Sequence, residues 1–205
     1  RPGRLAGTLW RRRRHFPVSV ARMSGAQVQV VVGGAPRKRG EVAADTTSVD
    51  TALAGILPHL SDGDLVVGKS LVPVGTAERL AAALEGSGVT VVWNPEFLRE
   101  GSAIDDFMHP DRVVIGTRDP RASELMLDVY SPLAAADVPF IITDVESAEL
   151  IKYASNGFLA TKISFINEIA QLCEALGANV EVVSRGMGLD NRIGPKFLHP
   201  GPGFG

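Results

Sequence analysis

The chain has 205 residues, which is enough for one domain with a buried core, or for one domain and part of another. It is 45% hydrophobic and 21% charged, and its formal net charge of -2 gives no general basic character that would favour nucleic-acid binding. No apolar run approaches the ~20 residues that a membrane-spanning helix needs. The single cysteine, Cys173, excludes an internal disulfide framework and fits a reducing cytoplasm.

The first part of the chain differs from the rest in charge. Residues 1–40 contain no Asp or Glu but ten of the 21 Lys and Arg, including the run from Arg11 to Arg14. For residues 1–27 this composition favours a disordered or non-native extension. An organellar targeting peptide and a nucleic-acid-binding arm are the alternatives.

Short β-branched segments bounded by Gly, Pro, Asn or Asp predict five strands. They lie at residues 28–33, 64–70, 89–95, 112–116 and 139–143. Their nearly continuous apolar character indicates strands that are covered on both faces. Helical patterns lie between them at residues 48–60, 75–87 and 120–133, and Pro58 indicates that the first helix ends early or bends. The alternation predicts a doubly wound α/β sheet with ligands at the carboxyl ends of the strands.

A long helix follows, from Glu146 to the glycine at position 177. Apolar residues form two stripes along it, one at positions 151, 154, 158, 165, 169 and 172 and the other at 159, 163, 166 and 170. A helix that is apolar on more than one side packs against more than one partner. We therefore predict either a spine between two domains or a dimer interface. On a third face Lys152 and Asn156 are neighbours one turn apart, although spacing alone does not define a site.

Four segments together resemble the UDP-glucose/GDP-mannose dehydrogenase family, and within it the UDP-glucose 6-dehydrogenases. They are DLVVGKSLVPVGT (64–76), NPEFLREGSAIDDFMHPDRVVIG (94–116), ESAELIKYASNGFLATKISFINEIA (146–170) and LDNRIGPKFLHPGPGFG (189–205). A weaker match lies at residues 30–50. The combination of REGSAIDDFMHPDRVVIG with KISFINE is closer to the UDP-glucose enzymes than to GDP-mannose or UDP-N-acetylmannosamine dehydrogenases, which stay as alternatives.

The resemblance implies a fold and an activity. It predicts an incomplete Rossmann-like NAD-binding domain over residues 28–144, followed over residues 145–205 by a connecting helix and the start of a central dimerisation and substrate domain. The implied reaction is the NAD-dependent oxidation of UDP-glucose to UDP-glucuronate in the cytoplasm. The implied assembly is a homodimer or a higher homo-oligomer, with neither a nucleic acid nor a membrane as partner.

The resemblance also assigns roles to individual residues. Glu96 matches the general acid/base at the sugar, and Lys152 with Asn156 matches the pair that holds the C6 oxygen and stabilises its negative charge. Arg192 matches a residue that often reaches the substrate of a neighbouring subunit. The implied substrate residues are Glu96, Phe97, Leu98, Arg99, Glu100, Lys152, Asn156, Arg192, His199, Pro200, Gly201, Pro202, Gly203, Phe204 and Gly205.

The implied cofactor residues are Ser70, Leu71, Val72 and Glu100, and no metal is expected. The family usually has Thr at the position of Leu71, close to the nicotinamide and the catalytic water. A hydroxyl cannot be replaced by an isobutyl group without loss of its hydrogen bonds. We therefore expect impaired positioning of the cofactor or of water.

Two other departures concern the family's catalytic machinery. The family nucleophile is a cysteine in a motif that would follow Gly205, whereas Cys173 lies in an apolar part of the long helix and is interpreted as a structural thiol. The glycine-rich turn that seats the cofactor pyrophosphate has no counterpart in residues 1–27. We therefore expect this chain to be inactive alone. The alternative is a non-catalytic chain that only dimerises or weakly binds a nucleotide sugar.

Overall fold

A computed structural model describes residues 27–32, 45–99 and 101–202 of the chain. Several predictions fall outside the described residues, namely the basic extension up to residue 26, the segment 33–44, and the site residues Glu100, Gly203, Phe204 and Gly205. The elements below belong to the described part.

Five strands form one sheet in sequence order. They are β1 (Val28–Val31), β2 (Leu65–Gly68), β3 (Thr90–Trp93), β4 (Val113–Gly116) and β5 (Phe140–Thr143). β1, β2 and β3 are parallel to one another, and β4 is parallel to β5. β3 and β4 are antiparallel and meet where Trp93 lies opposite Gly116. All five predicted strands are confirmed, and each is shorter than its apolar run.

Seven α-helices connect and cover these strands in the described residues. They are α1 (Thr47–Ile56), α2 (Thr76–Ala83), α3 (Ala103–Met108), α4 (Pro120–Val129), α5 (Ser131–Ala134), α6 (Val145–Leu176) and α7 (Val180–Gly188). As Pro58 predicts, α1 ends at Ile56, and a short 3-10 turn follows. The helix predicted at 120–133 is divided at Tyr130, because Pro132 has no N–H with which to continue α4.

The long helix α6 begins and ends as its sequence predicts. The Asp144 side chain accepts a hydrogen bond from the Ser147 N–H at 2.7 Å and so caps the first turn. Gly177 ends the helix with a φ of 70°, in the left-handed region that glycine adopts without steric cost. The buried Cys173 lies inside this helix. None of the described helices is long and apolar enough to cross a membrane.

Alternate residues of the strands point to two apolar layers. On one face, Val66 and Val114 pack with α1, α2 and the first turns of α6. On the other face, Leu65, Val67 and Ile115 pack against α4. The predicted mixed α/β architecture with helices on both faces is therefore confirmed. Coverage of both faces holds for β2, β3 and β4.

The two edge strands differ from that prediction. β1 leaves Val30 exposed, and β5 leaves Ile141 and Ile142 exposed. An apolar run predicts a strand but does not tell a central position from an edge. The reason is that burial depends on which helices lie over the strand.

A close contact between β2 and β3 gives a test of the packing. A Cβ added at Gly68 would lie 2.1 Å from the ring of the buried Trp93. We expect Gly68→Ala to lower the free energy of unfolding by about 1–3 kcal/mol through overpacking, as measured by urea denaturation. A matched control is Gly157→Ala in α6, where a Cβ meets nothing within 4 Å. It should raise the free energy of unfolding by up to about 1 kcal/mol, because alanine favours helix. Equal effects would contradict this packing.

Candidate active site

The candidate site begins where β3 ends and the sheet reverses direction. The backbone N–H of Asn94 donates to the Gly68 carbonyl at 2.8 Å, and its side-chain amide donates to the Val114 carbonyl at 2.7 Å. The segment 94–99 therefore leaves β3 along the junction of β3 with β4. In open α/β sheets, ligands bind in the crevice outside the carboxyl ends of the strands.

Glu96 and Lys152 meet at this junction. The Lys152 Nζ donates to Glu96 Oε1 at 3.2 Å, and Glu96 Oε2 accepts from the Leu98 backbone N–H at 2.6 Å. The Lys152 side chain is 8% exposed and the Glu96 side chain is 32% exposed. The carboxylate is thus oriented from both sides yet open to solvent. The structure brings together two residues that lie 56 positions apart and that were predicted to act on the same atom.

Phe97 lies under two cations. The Arg112 guanidinium carbon is 3.9 Å from the centre of the Phe97 ring, and the Lys152 Nζ is 5.3 Å from it. Arg112 also donates a long hydrogen bond of 3.4 Å to the Ser155 hydroxyl of α6. These cation–π contacts hold the segment after β3 against α6. Arg112 was missed by the sequence analysis, because it precedes a strand and resembles an ordinary boundary charge.

Asn156 lies one helical turn after Lys152 and is partly buried. Helix geometry places the two side chains on one face, about 5–6 Å apart at their Cβ atoms. An amide and an ammonium on one face can both donate to a single oxygen. The role of Asn156 at the C6 oxygen stays a prediction.

Leu98 and Arg99 continue the segment. Leu98 is exposed. Arg99 makes a charge-assisted pair with Asp106 of α3, through its guanidinium and through its backbone N–H at 2.8 Å. The hydrogen bonds from Arg99 hold the pKa of the Asp106 carboxyl well below its usual range. Arg99 therefore ties the segment to α3, and its predicted substrate contact is untested.

A second polar cluster holds Asn94, two residues before Glu96, and the sequence did not predict it. Lys69 Nζ donates to Asn94 Oδ1 at 2.8 Å and to the Tyr130 hydroxyl at 3.2 Å, and that hydroxyl donates to Asn94 Oδ1 at 2.5 Å. Burial lowers the pKa of Lys69 to about 8, against the opposing effect of the Glu96 charge. Burial raises the pKa of Tyr130 to about 12. The sequence signal was only a lysine at a strand end.

Three of the four predicted cofactor residues, Ser70, Leu71 and Val72, lie in the loop between β2 and α2. Ser70 and Val72 are buried, whereas Leu71 is 37% exposed. The buried Glu149 of α6 fixes the end of this loop, because its carboxylate accepts from the N–H groups of Gly75 at 2.7 Å and Ala77 at 2.9 Å. Leu71 thus lies at the surface of a well-anchored loop.

The carboxyl-terminal site residues lie elsewhere along α6. Arg192 is exposed and pairs with Asp190 at 2.7 Å, and His199, Pro200 and Pro202 are exposed. Asn167 of α6 holds Gly201, accepting from its N–H at 2.8 Å and donating to its carbonyl at 2.7 Å. Asn167 is 15 residues after Lys152, which is about 22 Å along a helix. These residues are therefore not brought to Glu96 within the described chain.

The lowered pKa of Lys69 gives a test by pH. The unfolded chain keeps the lysine proton up to its ordinary pKa of 10.5, whereas the folded chain loses it near 8. Between these values the unfolded state binds more protons, so the free energy of unfolding rises with pH. We expect urea denaturation to show a rise of roughly 2 kcal/mol from about pH 8 to 9.5 that Lys69→Met lacks. The exposed Lys196→Met should retain the rise, and parallel curves for wild type and Lys69→Met would contradict it.

Comparisons with known proteins cover both parts of the chain. Residues 10–134 match the sequence model of the UDP-glucose/GDP-mannose dehydrogenase family, NAD binding domain. Residues 146–205 match the model of the same family's central domain. The first match begins inside the segment interpreted as an extension, so the boundary at residue 27 stays a prediction.

Individual relatives agree with this assignment. The UDP-glucose 6-dehydrogenase of Rhizobium meliloti (strain 1021) is 50% identical over 189 residues, which cover 89% of this chain and 43% of the relative. The UDP-glucose 6-dehydrogenase TuaD of Bacillus subtilis (strain 168) is 48% identical over 183 residues, which cover 87% of this chain and 39% of the relative. The chain thus spans less than half the length of these relatives.

Solved structures show the same fold. A UDP-glucose dehydrogenase from the archaeon Pyrobaculum islandicum aligns with a TM-score of 0.81 at 41% identity, covering 91% of this chain and 43% of that one. A GDP-mannose dehydrogenase from Pseudomonas aeruginosa aligns with a TM-score of 0.72 at 32% identity, covering 87% and 43%. From the two family matches, the relatives and the shared fold, we conclude that this chain belongs to the UDP-glucose/GDP-mannose dehydrogenase family.

Proposed function

We propose that this chain supplies the acid/base and C6-oxygen-binding part of an NAD-dependent UDP-glucose 6-dehydrogenase, which oxidises UDP-glucose to UDP-glucuronate. The observation that carries the proposal is the buried Lys152 ammonium, 3.2 Å from the Glu96 carboxylate at the carboxyl end of β3. A hydroxyl between these groups would find both a proton acceptor and a cation. The identity of 50% to a UDP-glucose 6-dehydrogenase supports the reaction class.

The residues divide the chemistry of the alcohol between them. Glu96 is open to solvent on one side, so its carboxylate can take the proton of the C6 hydroxyl. Lys152 is buried beside it and stabilises the negative charge that remains on the oxygen. Asn156, on the same face of α6, adds an amide donor to that oxygen. Phe97, held by Arg112, forms the apolar wall under the cation.

The described residues offer a place for the nicotinamide end of NAD and not for its other end. The loop of Ser70, Leu71 and Val72 follows the carboxyl end of β2, and Glu149 anchors it, so it can hold the nicotinamide end beside Glu96. When bound, the cofactor would supply the hydride acceptor. Leu71 has no hydroxyl, so this position can contribute shape but no side-chain hydrogen bond to the cofactor. We do not assign the role of the family's cysteine nucleophile to Cys173, because this thiol is buried about 31 Å along α6 from Lys152.

UDP-glucose is the favoured sugar nucleotide. The solved UDP-glucose dehydrogenase is 41% identical to this chain, the GDP-mannose enzyme 32%, and a UDP-D-ManNAc dehydrogenase from Pyrococcus horikoshii 22%. This order favours UDP-glucose over the other two sugar nucleotides, and GDP-mannose is the competitor in the binding test below. We place the reaction in the cytoplasm, in keeping with the single reduced cysteine.

We also propose that α6 pairs two copies of the chain. Phe158, Phe165, Leu172 and Leu176 of this helix are all exposed, which leaves one predicted apolar stripe uncovered. Pairing would cover that stripe. It would also explain why Arg192 and the loop held by Asn167 lie far from Glu96, since they could then serve the site of the neighbouring copy. The proposed domains, 28–144 and 145–205, would place this pairing in the second.

Binding of the sugar nucleotide tests the proposed function. We expect saturation-transfer NMR to show UDP-glucose bound to the chain, and Lys152→Met to weaken that binding at least tenfold, about 1.4 kcal/mol. Lys162→Met, on the same helix with its ammonium on the Ile193 carbonyl, is the matched control and should bind as wild type. Equal binding by both variants would refute the role of Lys152. Tighter binding of GDP-mannose than of UDP-glucose would overturn the choice of substrate.

Sedimentation velocity tests the pairing. We expect the wild-type chain to sediment as a dimer and the double variant Phe158→Ser with Phe165→Ser to sediment as a monomer, because the exposed stripe loses its apolar area. Ile104→Ser, an equally exposed apolar residue on α3, is the control and should stay dimeric. A wild-type monomer over the accessible concentrations would contradict the pairing.

A further inference from the structure

A partly buried polar cluster joins three parts of the fold just before the candidate acid/base. Lys69 follows β2, Asn94 follows β3, and Tyr130 lies between α4 and α5. Lys69 donates to both partners, Tyr130 accepts from Lys69 and donates to Asn94, and Asn94 accepts twice. The Asn94 amide donates onward to the Val114 carbonyl. The ammonium, the hydroxyl and the amide of the cluster therefore each donate to at least one acceptor.

This cluster fixes the start of the segment that carries Glu96. Asn94 is 1% exposed, and its side-chain oxygen accepts hydrogen bonds from Lys69 and Tyr130. Its backbone is held by β2 through the Gly68 carbonyl. Glu96 lies two residues further on and is itself closed onto the Leu98 N–H. The position of the carboxylate thus depends on the groups that hold Asn94.

The same lysine is an electrostatic neighbour of Glu96. Burial lowers the pKa of Lys69 by more than the Glu96 charge raises it, so the pKa of Lys69 is about 8. A neutral lysine still has two N–H donors, so both of its hydrogen bonds survive loss of the proton. Tyr130, whose pKa burial raises to about 12, stays neutral in this range. The other cation against Glu96 is Lys152 of α6. Loss of the Lys69 proton therefore removes a charge that is coupled to Glu96 and leaves the hydrogen bonds of the cluster in place.

We propose that Lys69 is a positioning residue for Glu96: through its hydrogen bond to Asn94 it holds the start of the segment that carries the carboxylate, and its ammonium charge is coupled to that carboxylate. The catalytic meaning of this inference rests on the proposed acid/base role of Glu96. The coupling itself is a property of the folded chain and can be measured without substrate.

Carbon-13 NMR of the side chains tests the coupling in the whole chain. In wild type, the Cδ signal of Glu96 should show an inflection near pH 8, where Lys69 loses its proton. Lys69→Met should lose that inflection, and the exposed Lys196→Met should keep it. Tyr130→Phe should also keep it, because the bond from Lys69 to Asn94 remains. An inflection near pH 8 that persists in Lys69→Met would overturn the proposal.

The reciprocal measurement decides the case if Lys69→Met does not fold. The Cε signal of Lys69 should titrate at a lower pH in Glu96→Gln than in wild type, because Glu96 raises the pKa of Lys69. Glu124→Gln, an exposed carboxylate on α4, is the matched control and should leave the titration unchanged. Equal midpoints in the two variants would refute the coupling. Failure of UDP-glucose binding leaves these titrations unaffected, so the two proposals fail separately.

Discussion

The geometry of this chain depends on one buried carboxylate. Glu149 is 2% exposed and accepts the N–H groups of Gly75 and Ala77, at the start of α2. The free N–H groups at a helix start carry partial positive charge and suit an anion. Burial raises the pKa of this carboxyl and the two N–H groups lower it. Because a buried acceptor that loses its donors is strongly destabilising, α6 and α2 are held in one relative position.

That bond explains how distant segments meet at Glu96. Lys152 lies three residues after Glu149 in α6, and the loop from Lys69 to Gly75 leads directly into α2. Fixing α6 on α2 therefore fixes the ammonium relative to the carboxyl ends of β2 and β3. A second contact enforces the same arrangement, because a Cβ at Gly116 of β4 would lie 2.5 Å from the Cβ of Ala148. Only a glycine lets the start of α6 approach the strand so closely.

The sequence predicts where the strands and helices lie better than it predicts which segments they contact. The apolar runs locate all five strands, and Gly177 marks the end of α6, because these are local signals. The reversal between β3 and β4 has no local signal, since an apolar strand looks the same in either direction. Glu96 and Lys152 were predicted through the resemblance. The spacing of Lys152 and Asn156 alone indicates only a routine polar pair on the surface of a helix.

Lys69, Arg112, Tyr130 and Glu149 were missed for the same reason. Their hydrogen-bond partners lie 25 to 74 residues away, and only the topology brings them together. Lys69, Arg112 and Glu149 lie inside the matched segments, but the resemblance assigned no role to them. Hydrogen bonds and cation–π contacts to distant residues identify them, and these contacts are visible only in the folded chain.

The two halves of α6 are held in different ways, and this difference bears on the proposed pairing. The first half is fixed by the Asp144 cap, by Glu149 and by Lys152, and each of these three side chains is hydrogen-bonded. The second half has one buried polar link, from Asn167 to Gly201, and an apolar stripe that faces solvent. A rigid first half is what an acid/base site needs, since a displaced ammonium would stabilise charge in the wrong place. An uncovered second half is what a partner needs. One continuous helix can therefore carry both properties, so that pairing at one end would set the position of Arg192 and its loop against a site that is already formed at the other.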